Sequence, residues 1–150
     1  MCEYRYIISD VLPSDYKELL NVWESSVRAT HHFLKEEDFN EIKSSLKKEY
    51  FPLVELKCIK NDNGEIIAFM GINDDKLEML FVHDDMRNKG IGKVLLRHAI
   101  EQCHISKVDV NEQNEQAVGF YQKHGFRVTK RSELDGQGKP YPILEMELQK

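Results

Sequence analysis

The sequence predicts one α/β layered domain: a mixed, mostly antiparallel sheet of about seven strands with helices on both faces, in the order β-α-α-β-β-β-α-β-α-β-β. Three observations predict it. The apolar run Leu77–Val82 leads through a polar turn, His83 to Lys89, into a glycine-opened helix from Gly90 to about Gln102, a strand–turn–helix unit. Ahead of it, the tight turns Asp62-Asn63-Gly64 and Asn73-Asp74-Asp75 join strand-like segments into an antiparallel run. Between those turns, Glu65 to Asn73 is almost continuously apolar, as a strand covered on both faces would be.

The elements follow in order. Tyr4 to Ser9 alternates and gives a first strand. Pro13-Ser14 opens a helix whose buried face is Leu12, Tyr16, Leu19, Leu20, Trp23 and Val27, and which fades near Arg28 to His32. A second helix runs from about Lys35 to Glu49 on the stripe Phe39, Ile42, Leu46, and Pro52 marks its stop. Val54 to Lys60 is the strand entering the first tight turn, where positive φ angles are needed. After the central helix come a short strand at Lys107–Val110 and a helix from about Glu115 to His124. The strands Phe126–Arg131 and Ile143–Leu148 follow, joined by a polar loop with Gly136, Gly138, Pro140 and Pro142. No repeat, low-complexity tract or linker divides the chain, so residues 1–150 read as one domain.

Composition bounds the function. A chain of 150 residues buries about two-thirds of its unfolded surface, and 41% apolar with 31% charged residues is ordinary for a globular protein. The net charge of −5, with no block of lysine and arginine, argues against nucleic acid and favours a cationic partner. Cys2, Cys58 and Cys103 form no Cys-x-x-Cys pair, which fits a reducing cytoplasm and not a zinc ribbon or disulfide scaffold. Met1 to Asp10 is too polar for a signal peptide, and no apolar run approaches the roughly 20 residues of a membrane span. A monomer and a homodimer are both compatible with this surface.

Chemistry concentrates at Arg87-Asn88-Lys89-Gly90-Ile91-Gly92-Lys93. The first N–H groups of a helix have no partners within it and sit at the positive end of its dipole, so they suit phosphate oxygens. Glycine lets a ligand approach the backbone closely, and Arg87 and Lys93 add charge. A P-loop fits poorly because Arg87 stands where its first glycine belongs and Val94 where Ser or Thr belongs. A dinucleotide fingerprint is disfavoured because Leu95 stands where a third glycine or alanine belongs. A plain strand–helix turn, with glycines serving only tight packing, stays open.

Arg-x-x-Gly-x-Gly after an apolar strand resembles the pyrophosphate loop of the GNAT N-acetyltransferases. The segment from Asn114 to Phe126, with Ala117, Phe120-Tyr121 and Gly125-Phe126, is similar to that superfamily's Asn-x-x-Ala…Phe-Tyr…Gly-Phe segment. The resemblance covers roughly residues 54–148 well and the first fifty loosely. It departs at Asp84, where the family often has proline, which leaves the stiffness of the turn open. The resemblance implies acetyl-CoA as co-substrate, no metal, and direct transfer of the acetyl group to a primary amine in a ternary complex. It also implies a V-shaped splay between Leu77–Val82 and Lys107–Val110, where the pantetheine arm lies along Leu80, Phe81 and Val82 and pairs with the strand backbone. Arg87, Asn88, Lys89, Gly90, Ile91, Gly92 and Lys93 would hold the pyrophosphate, with Asn114, Ala117 and Tyr121 on the other wall.

Tyr121 is the leading catalytic candidate. The resemblance puts it beside the thioester sulfur, and a phenol with a pKa near 10 is a neutral donor at pH 7 for the departing thiolate. Packing beside Phe120 is the alternative. Asn114 either holds the pantetheine or caps its helix. Glu78, by strand alternation, shares a face with Leu80 and Val82, while Leu77, Met79 and Phe81 take the other. A carboxylate in apolar surroundings suits proton abstraction, so Glu78 is a candidate base. Thr30, His31 and Phe33 follow the first helix where relatives line the acceptor cleft, and His31 is a second base candidate; Tyr141 lies where that cleft closes. No third ligand supports a metal at the histidines, and neither Cys58 nor Cys103 has the neighbours of a nucleophile. The acceptor is a small-molecule or peptide amine: polyamine, amino acid, aminoglycoside, protein lysine and N-terminus all fit. A non-catalytic acyl-CoA-binding or regulatory module and a nucleotide-phosphate binder are the competing readings.

Overall fold

The structure, a computed structural model, describes residues 6–149. Its centre is β3 (Ile66–Asn73), every residue of which is buried except the last. β2 (Glu55–Lys60) and β4 (Lys76–Val82) pair with it on either side, both antiparallel. Gly64 makes the first hairpin turn at φ +79°, and the Asn61 side chain accepts from the N–H groups of Asn63 and Glu65 at 3.0 and 2.9 Å. The short β1 (Ile8–Asp10) pairs with β2; of the strand expected at Tyr4–Ser9, Ile8 and Ser9 belong to it, Tyr6 and Ile7 do not, and Tyr4 and Arg5 lie outside the described residues. β5 (Lys107–Asn111), β6 (Phe126–Ser132) and β7 (Ile143–Leu148) complete one seven-stranded sheet in the order β1-β2-β3-β4-β5-β7-β6. Among the described residues the β4–β5 pair alone is parallel. The predicted fold class and element order hold.

Among the described residues, four α-helices cover the sheet. α1 (Tyr16–Thr30) and α2 (Glu36–Ser45) pack on one face through Leu19, Val22, Trp23, Val27 and Phe39 against Phe69 of β3, with Met79 and Phe81 of β4 alongside. α3 (Ile91–Glu101) and α4 (Glu115–Lys123) cover the other through Ile91, Leu95, Leu96, Ala99 and Tyr121, over Met70, Leu77, Val108 and Met146. Two details of α1 differ from the amphipathic reading. Leu12 is 62% exposed, because a 3-10 turn at Pro13–Asp15 precedes the helix and Asp15 caps the Leu12 N–H at 2.9 Å. Val22 takes a place on the buried face. α2 runs on into a widened turn, Leu46–Tyr50, and a 3-10 turn, Phe51–Leu53, at Pro52, which lacks an N–H to continue the helical ladder. No helix among the described residues is long and apolar enough to cross a membrane.

The register of β4 carries one irregularity with consequences for the site. Gly71 faces Met79 and Ile72 faces Leu77, so Glu78 is an extra residue, a β-bulge. Beyond it the alternation changes sides. Leu77 joins Leu80 and Val82 in the core under α3, while Met79 and Phe81 face α1 and α2. Leu77 therefore does not share a face with Met79 and Phe81, contrary to simple alternation. Gly71, opposite the bulge, leaves no room for a side chain: a Cβ there would stand 2.8 Å from Cγ2 of Val54. Gly71→Ala should therefore destabilise the protein by about 1–3 kcal/mol through overpacking, read as a lower midpoint in urea or thermal unfolding.

Candidate active site

β4 and β5 are bonded at Lys76–Lys107 and Leu77–Val108 and separate beyond that point. The splay leaves the outer half of β4 with an open edge, and a cleft runs along it. One part, about 570 Å³, lies between Leu80, Phe81 and Val82 of β4, the start of α3, and Asn114, Ala117, Phe120 and Tyr121 around α4. A second part, about 500 Å³, continues past Tyr121 toward Glu78, Asp109, Asn111 and the β6–β7 loop. A side cavity of about 210 Å³ opens beneath α1 and α2, lined by Trp23, Val27, His31, Phe33 and Tyr141.

The turn before α3 is held stiffly although it lacks the family's proline. Asp84 donates its N–H to Ser25 Oγ of α1 at 3.0 Å, which a proline there would not do, and its carboxylate meets Arg87 Nη1 at 3.2 Å. Asn88 and Gly90 adopt left-handed φ angles of +63° and +80°, and Gly90 is the N-cap of α3. Among the described residues, none of the N–H groups from Asn88 to Lys93 finds an acceptor; the first bond of the helix is Val94 N–H to Gly90 O at 3.1 Å. A cradle of donors thus faces the cleft at the positive end of α3. Arg87, Asn88, Gly90, Ile91, Gly92 and Lys93 line it, and Lys89 does not. The Arg87 guanidinium reaches across to the side chain of Gln116 on α4.

Tyr121 is buried, lines both main parts of the cleft, and its hydroxyl bonds to no other described residue. Burial pushes its pKa up, so the phenol keeps its proton throughout the neutral range. It also packs edge-on to Phe120 and Phe126, so its packing role and its place in the cleft coexist. Asn114 caps α4, its Oδ1 accepting from Ala117 N–H at 3.3 Å. Its amide Nδ2 has no partner among the described residues and lies on the cleft wall with Ala117.

On the far side, the bulge turns Glu78 outward. It is exposed and lines the second part of the cleft and the side cavity with Met79 and Phe81. The apolar surroundings expected from alternation with Leu80 and Val82 are absent. Asp109, Asp135 and Glu145 line the same region, giving it four carboxylates with Glu78. Oδ2 of Asp109 pairs with Lys76 at 3.2 Å, while its buried Oδ1 has no partner among the described residues. Thr30 and His31 line the cleft at the end of α1, and His31 reaches the side cavity together with Phe33.

Tyr141 is committed elsewhere by its hydroxyl. That group donates to Asp38 and accepts the Lys35 N–H at 3.2 Å, so only its ring faces the side cavity. Asp38, one of the few buried polar side chains, also binds Lys139 Nζ at 3.0 Å, and these bonds hold its carboxyl below the usual carboxylate range. The β6–β7 loop is thereby fastened to α2.

Sequence reading missed Gln116, Asp109, Asn111, Asp135 and Glu145 as lining residues. The first would need the fold. Asp109 and Asn111 were visible as the polar positions alternating with Val108 and Val110 of β5. Lys93 offers a test of the cradle, because it is an exposed cation in the first turn of α3. Lys93→Glu should stabilise the helix by about 0.3–1 kcal/mol, since the dipole favours an anion there. The same change should weaken CoA at least tenfold, so melting temperature and calorimetric affinity move in opposite directions.

Comparison with known proteins agrees with this geometry. The family described as acetyltransferase (GNAT) domain matches residues 24–149. The peptidyl-lysine N-acetyltransferase YjaB of Escherichia coli K12 is 42% identical over 130 residues, 87% of this chain and 88% of that protein. The solution structure of apo-form YjaB from Escherichia coli superposes with a TM-score of 0.87 at 39% identity, covering 95% of this chain and 96% of that one. The PaiA N-acetyltransferase of Thermoplasma acidophilum, solved in complex with coenzyme A, shares the fold at 22% identity, with a TM-score of 0.71 over 95% of this chain and 98% of that one. The cleft between β4 and β5, with its donor cradle and its buried tyrosine, belongs to an N-acetyltransferase of the GNAT family.

Proposed function

We propose that the chain moves the acetyl group of acetyl-CoA onto the ε-amine of lysine side chains in peptides or proteins, by direct attack in a ternary complex. One observation carries this reading. A single cleft has a cradle of unpaired N–H donors at one end, four carboxylates at the other, and Tyr121 bordering both parts. A diphosphate suits the first end and an alkylammonium the second. The lysine specificity in the name of the E. coli relative points the same way. The free thiols of Cys58 and Cys103 accord with work in the cytoplasm, where thiols persist.

In this reading the backbone from Arg87 to Lys93 binds the pyrophosphate, and Arg87 leaves Gln116 to join it. The open edge of β4 from Leu80 to Val82 pairs with the pantetheine amides, with Asn114 and Ala117 opposite. The amine nitrogen attacks the thioester carbonyl carbon. As the carbon–sulfur bond breaks, Tyr121 protonates the CoA thiolate. Glu78, exposed at the acceptor side, attracts the ammonium and draws its first proton through water.

A library of N-terminally blocked lysine peptides, free amino acids and polyamines incubated with acetyl-CoA tests the acceptor. Thiol release with acetylation on lysine is expected, and transfer to polyamines alone overturns the lysine assignment. Tyr121→Phe should lower kcat at least tenfold and leave the Kd for CoA unchanged; an unaltered kcat removes Tyr121 from the chemistry. Glu78→Gln should raise the KM for a lysine peptide and move the acidic limb of the pH–rate profile, and an unmoved limb assigns that proton elsewhere.

A further inference from the structure

An alkylammonium carries three N–H bonds and the product amide carries one. Two protons must therefore leave the nitrogen, one before attack and one after the new carbon–nitrogen bond has formed. Glu78, at the exposed end of the cleft, is placed for the first. The second is released when the nitrogen is already deep in the cleft, and the structure holds a separate group for it.

His31 and Phe81 both line all three of the cavities described above. The His31 ring is fixed on several sides. The backbone N–H of His31 bonds to Val27 O at 2.7 Å, which fixes the main chain there, and the ring packs at a tilt on Phe33 with centroids 5.2 Å apart. Its Nδ1 lies 2.7 Å from Thr30 Oγ1, and Thr30 Oγ1 donates to Ser26 O at 2.8 Å. A hydroxyl has one proton, and the Ser26 carbonyl accepts without donating. The Thr30 oxygen therefore accepts from His31 Nδ1–H, and the tautomer is set: the lone pair resides on Nε2. Among the described residues, Nε2 has no hydrogen-bonding partner.

We propose that His31 Nε2 accepts the second proton, the one lost by the amine nitrogen once it is bonded to the acetyl carbon. The proposal rests on the acetyl-transfer reading and adds a catalytic residue to it, with Thr30 as its positioning residue. Burial first, and His32 beside it, push the His31 pKa down to about 4, so the ring is neutral and ready to accept at neutral pH. So weak a base suffices, because a nitrogen attached to the tetrahedral carbon is far more acidic than an alkylammonium. Titratable and charged groups bordering the same space are Glu78 on β4, Asp109 on β5, Glu145 on β7, Asp135 and Tyr141 in the β6–β7 loop, Tyr121 on α4, and Arg87 and Lys93 at the start of α3. The carboxylates among them offset the imidazolium when it forms.

The step balances. The amine lone pair forms the carbon–nitrogen bond, and the carbonyl π pair moves to oxygen. The N–H proton passes to Nε2. When the carbonyl re-forms, the carbon–sulfur pair leaves on sulfur and takes the Tyr121 proton. The imidazolium then returns its proton through cleft water to the phenolate. An ammonium and acetyl-CoA become an amide, the CoA thiol and one proton, which is the proton lost before attack.

His31→Asn is the test, since the amide N–H of asparagine keeps the bond to Thr30 but supplies no basic nitrogen. With a lysine peptide, kcat should fall about 10²-fold, while the Kd for CoA, both KM values and the melting temperature stay within twofold or two degrees of wild type. Methoxyamine, an acceptor already neutral at pH 7.5, separates the two protons. It should restore Glu78→Gln toward wild-type rates and leave His31→Asn impaired, because only the first proton is absent from it. Thr30→Val, which frees the tautomer, should lower kcat several-fold with KM unchanged, and provides a second route should His31→Asn fold poorly. Wild-type kcat in His31→Asn, or its recovery with methoxyamine, overturns the proposal. Wild-type protein that acetylates no amine overturns the transfer reading itself, and this step with it.

Discussion

β4 has two neighbours at one end and one at the other. Its pairing with β5 stops after Leu77, next to the extra residue Glu78, and from there its edge is open. An unpaired strand edge exposes a row of peptide donors and acceptors, and in this protein the edge is placed inside a cleft, not on the outer rim of the sheet. Everything that makes the site follows from that separation. It admits a ligand between the two halves of the sheet, and it brings the end of α1 close to α4. It also lets the N-terminus of α3 and Tyr121 look into the same space. The bulge adds a second effect, because it moves Glu78 off the α3 side of the sheet and onto the side that α1 and the β6–β7 loop enclose.

The two ends of this cleft are opposite in charge, and neither depends on a dense cluster of like charges in the sequence. At one end the positive character comes from peptide dipoles and from N–H groups that the helix leaves unpaired, supplemented by Arg87 and Lys93. At the other it comes from carboxylates contributed by β4, β5, β7 and a loop. The middle is lined by Phe81, Phe120 and Tyr121, and burial there raises the pKa of Tyr121 and lowers that of His31. Burial drives both shifts toward the uncharged form, leaving one side chain able to give a proton and the other able to take one.

Local signals were legible in the sequence and pairwise ones were not. The glycine turn at Gly64, the apolar run of β3, the stripe on α1 and the strand–turn–helix at Arg87–Gly92 each reflect the conformational preference of a few adjacent residues, and the structure reproduces them. The seven strands and their order followed from these. Glu78 shows where this stops. Its face depends on the register with Gly71, and a one-residue insertion reverses every side chain beyond it. Leu12 was misplaced because a side-chain cap from Asp15 intervenes between it and the helix. The second function of Asn114 as a cap was legible, being a property of its own turn. The commitment of Tyr141 to Asp38 was not, since the two lie far apart in the chain. The tautomer of His31 is of this kind too, because it is decided by the carbonyl of Ser26, a group every residue has.

The suture at Asp38 has its own chemistry. One wall of the acceptor side is a loop stapled to α2 by Lys139, which pairs with both Glu41 and Asp38, and by Tyr141, which donates to that same Asp38. Its carboxyl is held below the usual value near 4, so the folded state binds that proton less readily than the unfolded chain. The staple is therefore fully fastened above the ordinary carboxylate range and releases as pH falls through the lowered folded value. Acidification would unmoor the loop that carries Leu134 and Asp135, while the amide donors at the start of α3, which carry no titrating proton in that range, would persist. The acceptor side and the cofactor side of one cleft would then part company only in acid below the ordinary carboxylate range.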